Sequence, residues 1–198
     1  SYLWYGGGLK KDYSKATPLQ KKTSLRFNNL LEIIAQEKPK MRIRFSTSNP
    51  QDMSDEVIDV IAKYPNICRH IHLPVQSGSN KILKKMNRLH TREEYLVLIK
   101  KIKTKIPNCS ISHDIIAGFP SENETDHLDT LKLMESIKYE YGFMFKYSER
   151  PGTMAQKKFT DNVPLEIKNL RLKEIITKQN KHSLFRNQQF LNKTVCVL

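Results

Sequence analysis

Apolar and polar positions along the chain alternate between a helical period and a period of two. From Thr17 to Lys38 the apolar residues Leu25, Leu30, Leu31, Ile33 and Ile34 fall at helical spacing, which predicts an amphipathic helix closed by Pro39. Met41-Arg42-Ile43-Arg44-Phe45-Ser46 alternates with period two and predicts a strand. Ser54 with Asp55 and Glu56 supplies an N-cap and first-turn acids for a helix through Ala62. Cys68 to Val75 reads as the next strand and Ser79 to Met86 as a short helix. Thr91 opens a longer helix through Lys105, with Glu94 in capping-box position and Pro107 as the breaker. Ser110 to Ala117 predicts a third strand. Asn123 to Lys138 predicts a helix with Leu128, Leu131, Met134 and Ile137 on one face. Tyr141 to Tyr147 reads as a fourth strand, and Val163-Pro164-Leu165 starts a long helix to about Phe190. Leu191 to Leu198 turns apolar and β-branched, like the first strand of a further unit.

Strand–helix alternation with single crossovers implies an α/β fold, a parallel sheet with helices outside it. Four such units suit part of a TIM-like (βα) barrel or a doubly wound sheet. Both architectures place the active site at the C-terminal strand ends, so the residues after each strand are the candidates. After the first stand Ser46, Thr47, Ser48 and Asn49, whose short polar side chains could bond a ribose or an amino-acid head group, or simply cap the next helix. After the second stand Gln76 and a Gly78 turn that could face donors toward a ligand, followed by Arg88, suited to bidentate capture of a carboxylate or to the surface. Asp114 interrupts the apolar third strand. A buried carboxylate is costly unless paired or bound to a ligand. Gly118 after it allows backbone to approach a flat ligand closely. Tyr147, closing the fourth strand, could line an adenine pocket or pack in the core. His70 and His72 share a strand face and, with Asp114, form the metal-site alternative of a barrel hydrolase, although no third ligand stands at the other strand ends.

The formal charge of +14 attracts phosphates and makes RNA a natural partner; lysine-rich helix faces can also be purely solvating. The charge keeps open a third reading, a non-catalytic RNA-binding module. Cys68, Cys109 and Cys196 are dispersed, with no CxxC pair, which argues against a disulfide framework and for thiols in a reducing, cytoplasmic setting. No apolar run approaches the roughly 20 residues that span a bilayer, so no membrane partner is expected. The opening Ser1-Tyr2-Leu3-Trp4-Tyr5 has neither an initiator Met nor signal-peptide regions, as expected of a piece of a longer chain.

Four segments in this order, RFSTSNPQDM, HIHLPVQSGSNKILKKMNR, DIIAGFPSE and YSERPGT, resemble the methylthiotransferases of the radical S-adenosylmethionine (SAM) superfamily. STSNP with HLPVQSGS resembles the MiaB-type branch, which makes 2-methylthio-isopentenyladenosine in tRNA. The resemblance runs from about Tyr2 to Leu191. It implies that residues 1–191 are the C-terminal part of a radical-SAM barrel, strands three to six, and that 192–198 begin a TRAM domain. It also implies SAM and [4Fe–4S] clusters as cofactors, the cluster cysteines lying upstream, so that these residues by themselves should be inactive. Ser46, Ser48, Gln76, Arg88, Asp114 and Tyr147 would contact SAM: Arg88 its carboxylate, Asp114 its ribose, Tyr147 its adenine. Arg150 would meet tRNA phosphate. The resemblance assigns no catalytic residue and no metal ligand within the chain.

Overall fold

The computed structural model describes residue 17, residues 26–46 and residues 49–194. Its elements are α1 (Phe27–Glu37), a 3-10 turn (Pro50–Asp52), α2 (Asp55–Lys63), β1 (His70–His72), α3 (Asn80–Lys85) and α4 (Arg92–Lys105). There follow β2 (Ser110–Ala117), α5 (Glu124–Ile137), β3 (Tyr141–Lys146), α6 (Met154–Lys158) and α7 (Leu165–Gln188). The three strands are parallel, in the order β1-β2-β3, with His72 beside Ser112 and Asp114 beside Phe143. This is the expected α/β architecture, with helical crossovers between neighbouring parallel strands.

Local chemistry sets most boundaries. Thr91 Oγ1 accepts from Glu94 N–H at 3.2 Å while Glu94 accepts from Thr91 N–H at 2.7 Å, a closed capping box. Asn123 and Asp126 do the same at the start of α5. Ser54 occupies the N-cap of α2 but makes no side-chain cap bond.

Period-two alternation puts the two faces of the sheet in different surroundings. One face carries Ile71, Leu73, Ile111, Ile115 and Ala117, buried with Ile58, Ile61, Ile102 and Leu133 from the helices. The other carries His70, His72, Ser112 and Asp114, with Tyr141, Phe143 and Phe145 exposed on β3. Gly78 shows how tightly α5 closes the crossover. A Cβ there would stand 2.5 Å from Thr130 Cα, and its N–H donates to Thr130 Oγ1 at 2.9 Å.

Several expectations need correction. The strand expected over Met41 to Ser46 is a single parallel bridge, Ile43 to Ile67. Of that alternating run only Ile43 is fully buried, with Phe45 partly buried against the core. In α5 the buried stripe is Asp126, His127, Thr130, Leu133, Met134 and Ile137, and Leu128 is exposed. Leu30 and Ile33 of α1 are likewise exposed, while Leu31 is buried; Leu25 lies outside the described residues. The expected strand after Leu191 is a turn as far as Leu191 and Asn192, and residues 195–198 lie outside the described ones.

The long α7 buries polar residues: Lys168, Arg171, Gln179 and His182, with Ile175 among them. Each of these side chains has a partner, although Arg171 Nε and His182 Nδ1 are left unbonded. Lys168 pairs with Asp161, Arg171 with Glu122 at 3.1 Å, and His182 with Glu135 at 3.3 Å. Gln179 Oε1 meets the His113 ring at 2.9 Å, and its amide donates to Tyr139 O at 3.1 Å. A helix that docks through hydrogen bonds rather than apolar contact gives no periodic hydrophobic signal.

Candidate SAM-binding strand ends

The C-terminal ends of β1 and β2 meet at Gln76. Its backbone takes φ +72°, a left-handed conformation that costs a non-glycine residue about 1–3 kcal/mol and persists where surrounding structure enforces it. Enforcement comes from β2: Gln76 N–H donates to Asp114 O at 2.8 Å, and Ile116 N–H donates to Gln76 O at 3.0 Å. Both backbone groups are spent on the sheet, so the expectation that Gln76 offers backbone donors to a ligand is corrected. Its side chain, in a buried residue, remains available.

Asp114 sits one step along β2 from this junction, on the open face. Its Oδ1 is buried without a hydrogen-bond partner. His72 Nε2 stands 3.4 Å away, close enough for charge attraction but not aligned as a hydrogen bond. Arg88 faces the same carboxylate. Burial lowers the guanidinium pKa from its ordinary value, and the Asp114 charge opposes that shift. The two candidates of opposite sign, drawn from different crossovers, are therefore brought into electrostatic contact. His90, two residues on, is buried, and burial pushes its pKa down, with the Arg88 charge adding to the shift and the Val75 backbone opposing it.

The other candidates are placed differently. Ser46 is exposed beyond the Ile43 bridge, and Ser48 lies outside the described residues. Tyr147 packs its ring against Phe119 at 5.0 Å and under Lys168 Nζ at 5.2 Å, with its hydroxyl buried and unpaired. The aromatic cluster continues from Phe119 to Phe159. Arg150 is exposed; its carbonyl accepts from Thr153, and its guanidinium has no partner among the described residues. Gly118 is not left open for a ligand. It takes φ +72°, a Cβ there would meet Lys168 Cγ at 2.4 Å, and its N–H donates to Glu122 Oε1 at 2.9 Å.

His70 and His72 do not converge on a metal position. Both meet the same hydroxyl, Ser112 Oγ, at 3.0 and 2.9 Å. Ser112 escaped sequence reasoning because a lone serine in a strand carries no signal. A groove of about 670 Å³ between α5 and α7, lined by Leu128, Leu170 and Phe185, lies on the outer helical face, away from the strand ends where this architecture does its chemistry.

The architecture and the polar strand ends define a class: residues 17–134 match the radical SAM superfamily model, and the chain belongs to that superfamily. Among its relatives, the tRNA-2-methylthio-N(6)-dimethylallyladenosine synthase of Flavobacterium johnsoniae is 62% identical over the whole chain. The enzyme of the same name from Christiangramia forsetii is also 62% identical over 198 residues. That from Bacteroides fragilis is 55% identical over 87% of the chain and 38% of its own length. The chain spans 41% of the length of the two more similar relatives. In fold it is similar to the radical SAM enzyme coproporphyrinogen III oxidase (HemN) from Escherichia coli, with a TM-score of 0.57 at 21% identity over 68% of this chain and 31% of that one.

Proposed function

We propose that this chain is the SAM-holding part of an enzyme that installs a methylthio group on a dimethylallyladenosine of tRNA. The observation that carries the reading is the 62% identity across all 198 residues to enzymes of that name. In this reading residues 1–191 are barrel, residues 192–198 open a TRAM domain, and the protein works in the cytoplasm, where tRNA is modified. No described helix is long and apolar enough to cross a membrane.

The superfamily uses SAM and a [4Fe–4S] cluster. The strand ends suit SAM, which carries a carboxylate, an ammonium group and a ribose diol. Arg88 is a half-buried cation without an ion-pair partner at contact distance among the described residues, and Asp114 Oδ1 is a buried acceptor with an unfilled lone pair. Arg88 would hold the carboxylate, Asp114 the ribose hydroxyls, Ser46, Ser48 and Gln76 the remaining polar atoms, and Tyr147 the adenine. Bound there, SAM would supply the adenosyl and methyl groups. The cluster has no such home among the described residues. No group of three His, Cys, Asp or Glu there could hold a metal ion, and burial pushes the Cys109 thiol up to about 12, far from the thiolate that iron needs.

The test is nucleoside analysis. The full-length protein, expressed in a bacterium whose own methylthiotransferase gene is deleted, should restore 2-methylthio-dimethylallyladenosine in digested tRNA. Persistence of dimethylallyladenosine alone, with the protein folded and its clusters loaded, rejects the reading.

For tRNA, Arg150 has its guanidinium free at the mouth beyond β3, and Lys157 and Lys158 are exposed nearby on α6. Each phosphate contact adds about 0.7–0.9 to the slope of log affinity against log salt. Arg150→Ala in the full-length protein should lower tRNA affinity and flatten that slope by about one contact, with SAM binding unchanged. Wild-type affinity and slope would remove Arg150 from the RNA footprint.

A further inference from the structure

The open face of the sheet holds a chain of four polar groups, of which the proposed SAM contacts account only for the last, Asp114. His70 Nε2 is 3.0 Å from Ser112 Oγ, which is 2.9 Å from His72 Nδ1, and His72 Nε2 is 3.4 Å from Asp114 Oδ1. Strand register produces this line. His72 lies beside Ser112 in the pairing, and Asp114 follows two residues along the same face. The ring planes are held from the other side: Tyr141 stacks on His70 at 5.4 Å, and Phe143 meets His72 edge-on at 6.0 Å. Ser112 itself is fully buried. A buried hydroxyl costs free energy unless bonded, so an apolar residue would serve packing alone better.

Proton counting orients the chain. A serine hydroxyl has one hydrogen and can donate to only one of the two imidazoles. His72 Nε2 faces a carboxylate, where an N–H is attracted and a lone pair repelled. Neutral His72 therefore carries its proton on Nε2, which leaves Nδ1 as an acceptor for Ser112. Ser112 then accepts in turn from His70 Nε2–H. Burial, with the Arg44 charge adding to it, pushes the His70 pKa down, consistent with a neutral donor ring. Every donor in the line points toward Asp114.

We propose that Ser112 is a positioning residue that acts through His72 on Asp114, fixing the imidazole as an N–H donor and so holding the carboxylate ready for its ligand. The inference rests on the reading of Asp114 as a SAM contact and goes beyond it by giving the HIH segment and Ser112 a task. His72 attracts Oδ1 without filling its lone pair, so the carboxylate is steadied and still able to accept from a ligand hydroxyl or ammonium group.

The experiment is a double-mutant cycle on SAM binding, measured by equilibrium dialysis with labelled SAM on the full-length, cluster-loaded protein. Ser112→Ala should weaken binding about tenfold, the worth of one well-placed hydrogen bond. In an Asp114→Ala background it should weaken binding no further, because the residue through which it acts is gone. His72→Leu, at the half-buried middle of the chain, should behave the same way and keeps the test open should Ser112→Ala fail to fold. Equal losses with and without Asp114 would make Ser112 a general structural residue and overturn the proposal. Unchanged affinity in Ser112→Ala or His72→Leu, with Asp114→Ala weakened, overturns the proposal and leaves the SAM assignment standing. Unchanged affinity in Asp114→Ala overturns both.

Discussion

Arg171→Met should destabilise the barrel segment by about 3–5 kcal/mol, the cost of leaving a buried charge without its partner. Arg171 and Glu122 are almost wholly buried and meet at 3.1 Å. The same guanidinium donates to Glu122 O at 3.1 Å, and Glu122 in turn accepts from Gly118 N–H, so one arginine of α7 locks the loop that follows β2. Burial already raises the Glu122 pKa from its ordinary value, opposed by the Gly118 N–H and by Arg171. The sign of the pH dependence follows. A carboxyl whose folded pKa lies above its unfolded one contributes stability below the unfolded value and loses it as pH rises through the folded value. Removing Arg171 raises the folded pKa further, so the deficit should be largest near neutral pH and shrink on acidification, as Glu122 takes up a proton. Urea unfolding of the full-length protein, followed by circular dichroism at pH 5 and pH 7, reads both effects. Adding Glu122→Leu should recover much of the loss, because a well-packed apolar pair can replace a buried ion pair at little cost. A loss below about 1 kcal/mol, of the size usual for exposed positions, would show that the pair is not the lock.

The second large effect concerns binding. Asp114→Ala in the full-length protein should weaken SAM affinity by about 2–5 kcal/mol, the range measured when one partner of a buried charged contact is removed. Stability should change much less. Asp114 makes no aligned hydrogen bond through Oδ1, its side chain is 27% exposed, and removing it relieves an unsatisfied buried acceptor. This split separates a ligand contact from a structural carboxylate. A thermal midpoint near wild type with SAM binding lost supports the assignment; a lowered midpoint with SAM binding intact refutes it.

The sequence by itself determined the parts of this protein that depend on near neighbours. Residue for residue, Ser110 to Ala117 was legible as a strand, and the capping boxes at Thr91 and Asn123 set their helices, because a cap or a strand period acts within a few residues. The radical SAM motifs were legible for the same reason, being short runs at strand ends. Asp114 stood out as a charge within an apolar strand. Tertiary structure decided what joins distant segments. Arg171 finds Glu122 across 49 positions, Ser112 lies between two histidines of another strand, and Lys168 fills the space that Gly118 leaves free. None of these pairings has a local signature, since polar residues on a buried helix face look solvated until their partners are known. The same reason accounts for the strand that shrank to one bridge at Ile43. Alternation shows that a segment can form a strand; hydrogen bonding to a neighbour decides how much of it does.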